Sequence, residues 1–308
     1  MSKTAYIFPG QGSQYVEMGM DLYNTYPSAK AVFDRADEIL GFPLSKLCFE
    51  GPEEELMYTV NAQPALLVTS IAALEAVREV APAALPQPAY MAGHSLGEYT
   101  ALAATGALKF DTAVTLVRER GRLMYEAGLE EPGAMGAVIG MDRETLADIC
   151  KETGVYIANL NCPGQTVVSG AKENVSNTLR SAKEHGAKLA IKLQVSGAFH
   201  SPLMLSAAKG LEPHIKKTEI ADPAVPVIGN TAAQEMSSSE MIRDELLEQV
   251  CHCVQWEDTI SFLLSCGVDC FIEIGPGQVL TGLVRRISEN AVKINIGNCD
   301  DIEALAYA

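Results

Sequence analysis

The sequence predicts an α/β protein built from two units. Short apolar runs, typical of buried strands, are followed along the chain by longer helical patterns. One such strand leads through a glycine-flanked serine directly into a helix, and further on the elements follow the order strand-helix-strand-strand-helix-strand. The first pattern is typical of a nucleophile-bearing turn in an α/β fold, and the second of a ferredoxin-like unit. We therefore expect a larger α/β domain with a smaller α+β domain inserted into it.

The chain opens with a predicted strand over Thr4–Phe8, followed by a glycine-rich turn. Apolar residues then recur at helical spacing over 28–40 and 64–80, and Pro64 suits the first turn of the second helix. A proline-rich connection, 82–88, leads into the next strand. Two strands joined by crossover helices are expected to lie parallel in one sheet.

The glycine-flanked serine is Ser95, in the sequence Gly93-His94-Ser95-Leu96-Gly97. A sharp strand-to-helix turn strains the serine backbone, and a Cβ at either flanking glycine would collide with the neighbouring strand or helix. The turn exposes the hydroxyl at a helix N-terminus, where free N–H groups can stabilise an oxyanion. A G-x-S-x-G string arises by chance in roughly one in ten chains of this length, so the motif needs support from other residues.

An arginine falls within the apolar stripe of the helix predicted over 111–124. Arg120 shares this face with alanine, leucine, valine and methionine side chains, whereas Arg118 and Arg122 point elsewhere and are expected to be solvated. Because removing the partner of a buried charge costs about 3–5 kcal/mol, Arg120 needs an anion. At this point a ligand carboxylate or phosphate, an internal acid and a side chain that reaches back to solvent all remain open.

The smaller domain is predicted from the elements that follow this helix. Strands and helices alternate over 134–139 (strand), 142–150 (helix), 155–160 and 166–169 (strands), 172–185 (helix) and 188–195 (strand). We place the domain boundaries so that 129–199 forms the small domain, while 1–128 and 200–308 together form the large one.

His200 lies on the loop that returns to the large domain, just before a helix predicted over 202–217. A loop histidine is often a surface or capping residue, but a serine nucleophile requires a nearby base, which favours His200 as the partner of Ser95. The remaining elements are predicted as strands over 225–228, 268–274 and 293–296 and helices over 239–251, 256–266 and 279–287.

Composition excludes several classes of protein. The net charge of −16 argues against nucleic acid as a general partner. No run approaches 18 consecutive apolar residues, and the first strand begins without a basic or apolar leader, so we expect a cytoplasmic protein without a membrane span. The eight cysteines show neither zinc nor redox spacing, which predicts reduced thiols and no metal site.

Seven short motifs in order resemble the malonyl-CoA:acyl carrier protein transacylases, acyltransferases that supply malonyl units to fatty acid and polyketide synthesis. They are Phe8–Gln14, Gly93–Glu98, Arg120–Gly121, Asn161–Gln165, Phe199–His200, Val254–Trp256 and Glu273–Gly277. The resemblance covers essentially the whole chain. It implies an α/β-hydrolase-like large domain with a parallel sheet plus an inserted ferredoxin-like α+β small domain.

The resemblance also implies the catalytic roles. Ser95 would be the nucleophile and His200 the base, with the ring oriented by the backbone carbonyl of Gln255 instead of by an acidic residue. The backbone N–H groups of Gln11 and Leu96 would form the oxyanion hole.

Two further residues would select the acyl group. Arg120 would hold the substrate carboxylate bidentately, and Phe199 would crowd a 2-methyl substituent, a difference worth about 1–3 kcal/mol. Cys253 departs from the proline that family members often carry before Val-Gln-Trp, which puts the loop around Gln255 in question.

The partners implied are malonyl-CoA and acyl carrier protein, with no cofactor and a monomeric enzyme. Because carrier proteins of this pathway are acidic, docking would need a local basic patch, for which the candidates are Lys188, Lys192, Arg285 and Arg286. A discrete polyketide acyltransferase, a serine thioesterase or hydrolase that uses the same turn, and a non-catalytic docking subunit are the alternatives.

Overall fold

The computed structural model describes residues 3–195 and 197–306. Its strands are β1 (Lys3–Phe8), β2 (Pro88–Gly93), β3 (Gly133–Ile139), β4 (Tyr156–Cys162), β5 (Gln165–Ala171), β6 (Leu189–Lys192), β7 (Val227–Ile228), β8 (Glu235–Met236), β9 (Val268–Ile274) and β10 (Val292–Ile296). The helices are α1 (Met20–Thr25), α2 (Pro27–Leu40), α3 (Leu44–Glu50), α4 (Glu53–Met57), α5 (Thr59–Val80), α6 (Leu96–Ala104), α7 (Phe110–Glu130), α8 (Arg143–Thr153), α9 (Lys172–Glu184), α10 (Leu205–Lys217), α11 (Ser239–Glu248), α12 (Trp256–Ser265), α13 (Val279–Ile287) and α14 (Cys299–Ala306).

The larger sheet is mixed but mostly parallel. Its strand order is β10-β9-β1-β2-β7-β8, and only β8 runs antiparallel to its neighbour. The central strands β1, β2 and β9 end at Phe8, Gly93 and Ile274. Because parallel strands place their carboxyl ends at one edge, the loops that follow these three strands meet there, which is the usual position of a site in such sheets.

The smaller sheet is antiparallel, with strand order β4-β5-β3-β6. Helices α8 and α9 pack against it, and Val138, Leu146 and Val175 belong to a hydrophobic cluster separate from the two clusters of the larger sheet. The predicted strand-helix-strand-strand-helix-strand order is therefore present. The structure is an α/β fold with a parallel-containing sheet and a second, antiparallel sheet.

The edge strand β4 connects the two sheets through backbone hydrogen bonds. Leu160 donates its N–H to the Val254 carbonyl oxygen at 2.9 Å, and Val254 donates to the Ala158 carbonyl oxygen at 2.9 Å. Val254 belongs to the segment between α11 and α12. The small antiparallel sheet is thereby fixed directly to a loop of the larger unit.

Helix α5 is the buried centre of the helical layer. It packs against α2, α6 and α7, and by length and composition alone it would be long and apolar enough to cross a membrane. In the structure, 83% of the 18-residue apolar stretch of α5 that meets this test is buried inside the protein. A core helix of a folded domain satisfies the same test of length and apolar composition.

Helix α5 begins at Thr59, earlier than the predicted start at Pro64. Pro64 lacks the N–H group that would bond the Val60 carbonyl one turn back. The guanidinium of Arg118 replaces that donor, because its Nη1 lies 2.7 Å from the Val60 oxygen and the group stacks 4.7 Å from the Phe42 ring centroid. The expectation that Arg118 is solvated is therefore wrong, since it satisfies a backbone group that proline leaves unpaired.

Other differences are confined to element ends and short elements. The helix predicted over 202–217 begins with a 3₁₀ turn, Pro202–Met204, before α10, and α11 ends at Glu248 instead of residue 251. Helices α1, α3, α4 and α14 and strand β8 are short elements without a clear periodic signal, and the sequence patterns did not predict them.

Replacing Arg118 by methionine is expected to destabilise the fold. The Arg118→Met variant keeps the apolar stem but leaves the Val60 carbonyl unsatisfied, at a cost of about 1–3 kcal/mol in the free energy of unfolding. Arg122 on the same helix forms exposed ion pairs with Glu119 and Glu126, so Arg122→Met is expected to cost about 1 kcal/mol or less. Urea unfolding measures both, and equal losses would contradict the role given to Arg118.

Candidate active site

A cavity of about 400 Å³ lies between the loops of the larger sheet and the smaller sheet, a size within the range of small-molecule sites. Its lining includes six residues predicted from the sequence, namely Gln11, Ser95, Leu96, Phe199, His200 and Arg120. The fold thus brings together residues that are far apart in the chain.

Ser95 occupies the turn between β2 and α6 in a strained conformation, with φ 51° and ψ −104°. A Cβ on Gly93 would lie 1.9 Å from the Gly97 carbonyl carbon, and a Cβ on Gly97 would lie 2.1 Å from the Phe8 carbonyl oxygen. No side chain fits at either position, so both glycines are required by close backbone approach. The predicted geometry of the turn is confirmed.

Asn230 holds this turn in place and was not found by sequence reasoning. Its Oδ1 accepts from the Ser95 N–H at 2.6 Å, and its Nδ2 donates to the Gly93 carbonyl at 2.7 Å. The two bonds bridge the end of the strand and the strained residue. A single asparagine in a loop carries no pattern from which this could be predicted.

The Ser95 hydroxyl and the imidazole of His200 are in direct contact, with Oγ 2.8 Å from Nε2. On the other side of the ring, Nδ1 lies 3.0 Å from the Gln249 carbonyl oxygen and 3.1 Å from that of His252. Two acceptors at Nδ1 assign the ring proton to that nitrogen, which leaves the Nε2 lone pair free to accept from the serine hydroxyl.

Gln255 does not supply the carbonyl that contacts His200, so that prediction is wrong. Its N–H donates to the Asn230 carbonyl at 2.8 Å, and its side chain donates to the Thr231 carbonyl. The carbonyls that orient the ring come from Gln249 and His252, directly after α11. The last carbonyls of a helix have no intrahelical partner and are free to accept such a bond, whereas the assignment to Gln255 rested on the resemblance alone.

Burial and the positive charge of Arg120 lower the pKa of His200 from 6.5 to about 3. The imidazole is therefore neutral, and able to accept a proton, over the whole physiological range. The neighbouring His94 is also buried, which lowers its pKa, and its Nε2 lies 2.9 Å from Asn161 Oδ1. That contact makes His94 a support of the turn, on the side facing the small sheet.

Arg120 is almost completely buried, with 1% of its surface exposed. Its guanidinium contacts three neutral oxygens: Gln63 Oε1 at 2.7 Å, Gln249 Oε1 at 2.8 Å and Ser95 Oγ at 3.1 Å. Among the described residues no acidic side chain forms an ion pair with it. Of the alternatives left open by the sequence, an internal acid and a solvated head group are therefore both wrong.

The two residues predicted to supply the backbone N–H groups of an oxyanion hole, Gln11 and Leu96, both line the same cavity. Leu96 is the first residue of α6, so its N–H has no intrahelical acceptor. Gln11 follows β1, and its side chain is turned away because Oε1 accepts from Thr59 Oγ1 at 2.9 Å. The two residues line the cavity beside Ser95, as an oxyanion hole requires.

The wall of the cavity beyond Ser95 is apolar. Phe199 is 5% exposed and lines it together with Met124, Met135, Leu193 and Val195. These side chains come from α7, from the small sheet and from the segment that connects β6 with His200. An acyl chain placed on Ser95 would therefore be enclosed by elements of both units.

The four predicted docking residues are all exposed. Arg286 donates to Gln165 Oε1 at 2.7 Å, and Gln165 lines the cavity, so Arg286 lies at its rim. The Lys188 side chain lies against Gly140, whose N–H bonds the Gly164 carbonyl next to Gln165. Arg285 is adjacent to Arg286 on α13, whereas Lys192 is on the edge strand β6, opposite Gly136.

In the described part of the chain, no three or more His, Cys, Asp or Glu side chains are grouped so that they could hold a metal ion. The described cysteines are all free thiols. The polar side chains that line the cavity are the hydroxyls of Ser13 and Ser95, the imidazoles of His94 and His200, several amides and the guanidinium of Arg120.

A serine bonded to a neutral histidine, next to free N–H donors and a buried cation, is the arrangement of an acyl-transfer enzyme. Comparison with known proteins agrees. The sequence profile of the acyl transferase domain matches residues 5–300. A malonyl CoA-acyl carrier protein transacylase of Bacillus subtilis (strain 168) is 49% identical, covering 98% of this chain and 96% of the relative. One from Staphylococcus aureus (strain MRSA252) is 40% identical over 98% of each chain.

Solved structures agree as well. The malonyl CoA-acyl carrier protein transacylase from Coxiella burnetii superimposes with a TM-score of 0.95 at 38% identity, covering 99% of this chain and 97% of that one. A malonyl-transacylase in complex with its type II PKS acyl-carrier protein superimposes with a TM-score of 0.95 at 39% identity over 99% of each chain. The chain therefore belongs to the acyl transferase domain family and, within it, to the malonyl CoA-acyl carrier protein transacylases.

The low pKa of His200 predicts an unusual acid limb in the pH profile. A base acts in its neutral form, which is present above its pKa, so lowering the pKa from 6.5 to about 3 extends activity towards acid pH. We expect kcat/KM for malonyl-CoA to stay level as the pH falls through 6.5, as measured by thiol release, with circular dichroism to define the range in which the protein is folded. An acid limb centred at or above 6.5 would contradict this.

Proposed function

We propose that the protein transfers the malonyl group from CoA to the phosphopantetheine thiol of acyl carrier protein through a malonyl-Ser95 ester. The observation that carries this proposal is that Ser95 Oγ lies 2.8 Å from His200 Nε2 and 3.1 Å from the buried guanidinium of Arg120. A nucleophile, a base and a cation for a distal carboxylate thus meet at one point.

In the first half-reaction Ser95 Oγ attacks the thioester carbonyl while its proton passes to His200 Nε2. The N–H groups of Gln11 and Leu96 stabilise the tetrahedral oxyanion. The C–S bond then breaks, the His200 imidazolium returns the proton to the departing thiolate, and free CoA leaves. The malonyl group remains as an ester on Ser95.

In the second half-reaction the carrier thiol attacks the ester carbonyl and gives its proton to His200. The C–Oγ bond breaks and the imidazolium protonates Ser95, which restores the resting enzyme. The Nδ1 proton stays on the ring throughout, because the carbonyl oxygens of Gln249 and His252 hold it. Such contacts also stabilise the imidazolium that forms in each half-reaction.

Arg120 selects the acyl group. A malonyl carboxylate supplies the anion that the buried guanidinium lacks, whereas a neutral acyl chain leaves the cation without an ionic partner. The proposal also gives Phe199 a role in selectivity: it lies in the apolar wall of the cavity, where its bulk would crowd a 2-methyl substituent.

The finer description of the fold belongs to the same proposal. The parallel sheet with its serine turn supports an α/β-hydrolase-like large domain, and the strand order β4-β5-β3-β6 with two helices supports a ferredoxin-like small one. We place the boundaries at 1–128 with 200–308 and at 129–199.

The proposed pathway is fatty acid synthesis. The second candidate is the supply of malonyl groups to a polyketide synthase. It is favoured by the similar malonyl-transacylase whose structure was solved in complex with its type II PKS acyl-carrier protein. A serine hydrolase is disfavoured, because among the described residues the Nδ1 partners of His200 are carbonyl oxygens and not an acid, and the cation would serve no purpose with neutral acyl groups. Transfer rates to fatty acid and polyketide carrier proteins, measured side by side, distinguish the first two.

Malonyl-CoA alone is expected to add one malonyl group to the enzyme, because the ester accumulates without a thiol acceptor. Intact-mass spectrometry measures the adduct, which holo acyl carrier protein should discharge. Ser95→Ala should remain unmodified. Continuous release of malonate without an acceptor would instead identify a hydrolase, and a wild-type enzyme that never acquires the adduct would identify a non-catalytic subunit.

Arg120→Ala is expected to lower kcat/KM for malonyl-CoA by about a hundredfold or more, since it removes the charged partner of a buried carboxylate. Transfer from acetyl-CoA should fall far less. Arg122→Ala, on the exposed face of the same helix, is the matched control and should leave both activities unchanged. Equal losses with the two substrates in Arg120→Ala would exclude a role in selectivity.

Docking of the acidic carrier protein is proposed at the exposed basic residues Lys188, Lys192, Arg285 and Arg286, of which Arg286 lies at the rim of the cavity. Reversing the charge of both arginines (Arg285→Glu with Arg286→Glu) is expected to raise the KM for carrier protein several-fold while that for malonyl-CoA changes little. The control reverses two exposed charges on α9 (Arg180→Glu with Lys183→Glu). No difference between the two double variants would exclude the rim as the docking surface.

A further inference from the structure

The buried cation of the site has a carboxylate nearby that it does not touch. Glu98, on α6, is completely buried, as is Arg120 on α7. The oxygens of Glu98 are occupied by other donors: Oε1 accepts from Gln249 Nε2 at 2.9 Å and Oε2 from the Asn230 N–H at 2.8 Å. An ion pair between two such charges is what a low-dielectric interior favours, so its absence needs a physical cause.

The cause is the side-chain amide of Gln249, which lies between the two charges. Its Oε1 accepts from Arg120 at 2.8 Å while its Nε2 donates to Glu98 at 2.9 Å. Nε2 also lies 3.0 Å from the Ser95 carbonyl oxygen, which ties the amide to the serine turn. One neutral group therefore satisfies a cation on one side and a carboxylate on the other.

Only an amide can do this at this position. A glutamate would offer oxygens alone, so it would pair with Arg120 and repel Glu98. A methionine of similar size would leave a buried donor and a buried acceptor without partners. Gln63 supports the arrangement from α5, because its Nε2 donates to Thr59 at 2.9 Å and this directs its Oε1 to Arg120.

The arrangement leaves Arg120 fixed in position but without a counter-charge. An arginine already neutralised by an internal acid would gain little from a substrate carboxylate, whereas one held by neutral groups, the amide and hydroxyl oxygens and the Tyr99 ring at 5.3 Å, retains its attraction for it. Burial and the nearby Glu245 raise the pKa of Glu98 well above its usual value and so favour its neutral form, which means that the acid beyond the amide does not act as a counter-charge for Arg120.

We propose that the side chain of Gln249 is a positioning and specificity-determining group, which separates Arg120 from Glu98 and so keeps the cation available for acyl groups that carry a distal carboxylate. The proposal rests on the proposed transfer of malonyl groups. It concerns the side chain of Gln249 and is independent of the carbonyl that contacts His200.

The test moves the buried carboxylate from residue 98 to residue 249, where it lies directly against Arg120. The double variant Gln249→Glu with Glu98→Gln keeps one buried acid and two hydrogen-bonding side chains but places the acid against Arg120. We expect the ratio of kcat/KM for malonyl-CoA to that for acetyl-CoA to fall by at least about tenfold. The single variant Glu126→Gln, which neutralises an exposed acid on the same helix as Arg120 and leaves the buried hydrogen bonds intact, is the control and should retain the wild-type ratio.

Acetyl transfer reports whether each variant is folded and whether Ser95 and His200 remain competent. A double variant that transfers acetyl groups and keeps the wild-type ratio would overturn the proposal, and so would an equal fall of the ratio in the control Glu126→Gln. If the double variant does not fold, Gln249→Met replaces it, with a higher KM for malonyl-CoA expected and an unchanged one counting against the proposal. A wild-type enzyme without malonyl transfer would overturn the proposed function itself.

Discussion

The active site depends on the burial of one guanidinium among neutral oxygens. The three partners of Arg120 come from different parts of the chain: Gln63 from the long core helix α5, Ser95 from the strained turn and Gln249 from the end of α11. A buried charge without an ionic partner lowers the stability of the fold. The packing of these three elements around Arg120 is therefore not what stability alone would favour. The enzyme retains this arrangement because it creates a binding site for an anion beside the nucleophile.

The environment of His200 follows the same principle of neutral partners. In many serine enzymes an acid orients the histidine, whereas here two carbonyl oxygens at the end of α11 do so. A carboxylate at that position would lie in the same small space as Arg120 and would compete with the substrate for its charge. Carbonyl oxygens fix the ring and stabilise the imidazolium through the negative end of a helix dipole, without introducing a full charge.

The strongest sequence predictions were those that follow from local geometry. Ser95 and its two flanking glycines could be recognised because a strand-to-helix turn leaves no space for a Cβ, and Arg120 because a charge interrupted an apolar stripe. The partners of Arg120 could not be predicted. Gln63 and Gln249 are single polar residues without periodicity, and the carbonyl that the resemblance assigned to Gln255 belongs instead to Gln249 and His252.

The sequence by itself determined the α/β class, the order of elements in the small sheet, the strained turn and the chemical types needed for acyl transfer, since each depends on residues close together in the chain. The tertiary structure alone decided which carbonyls orient His200, why Arg118 binds the Val60 carbonyl, and how Gln249 comes to separate Arg120 from Glu98. The physical reason is that every residue offers a carbonyl and many offer an amide. Only the packing of distant elements selects the few that meet a given charge.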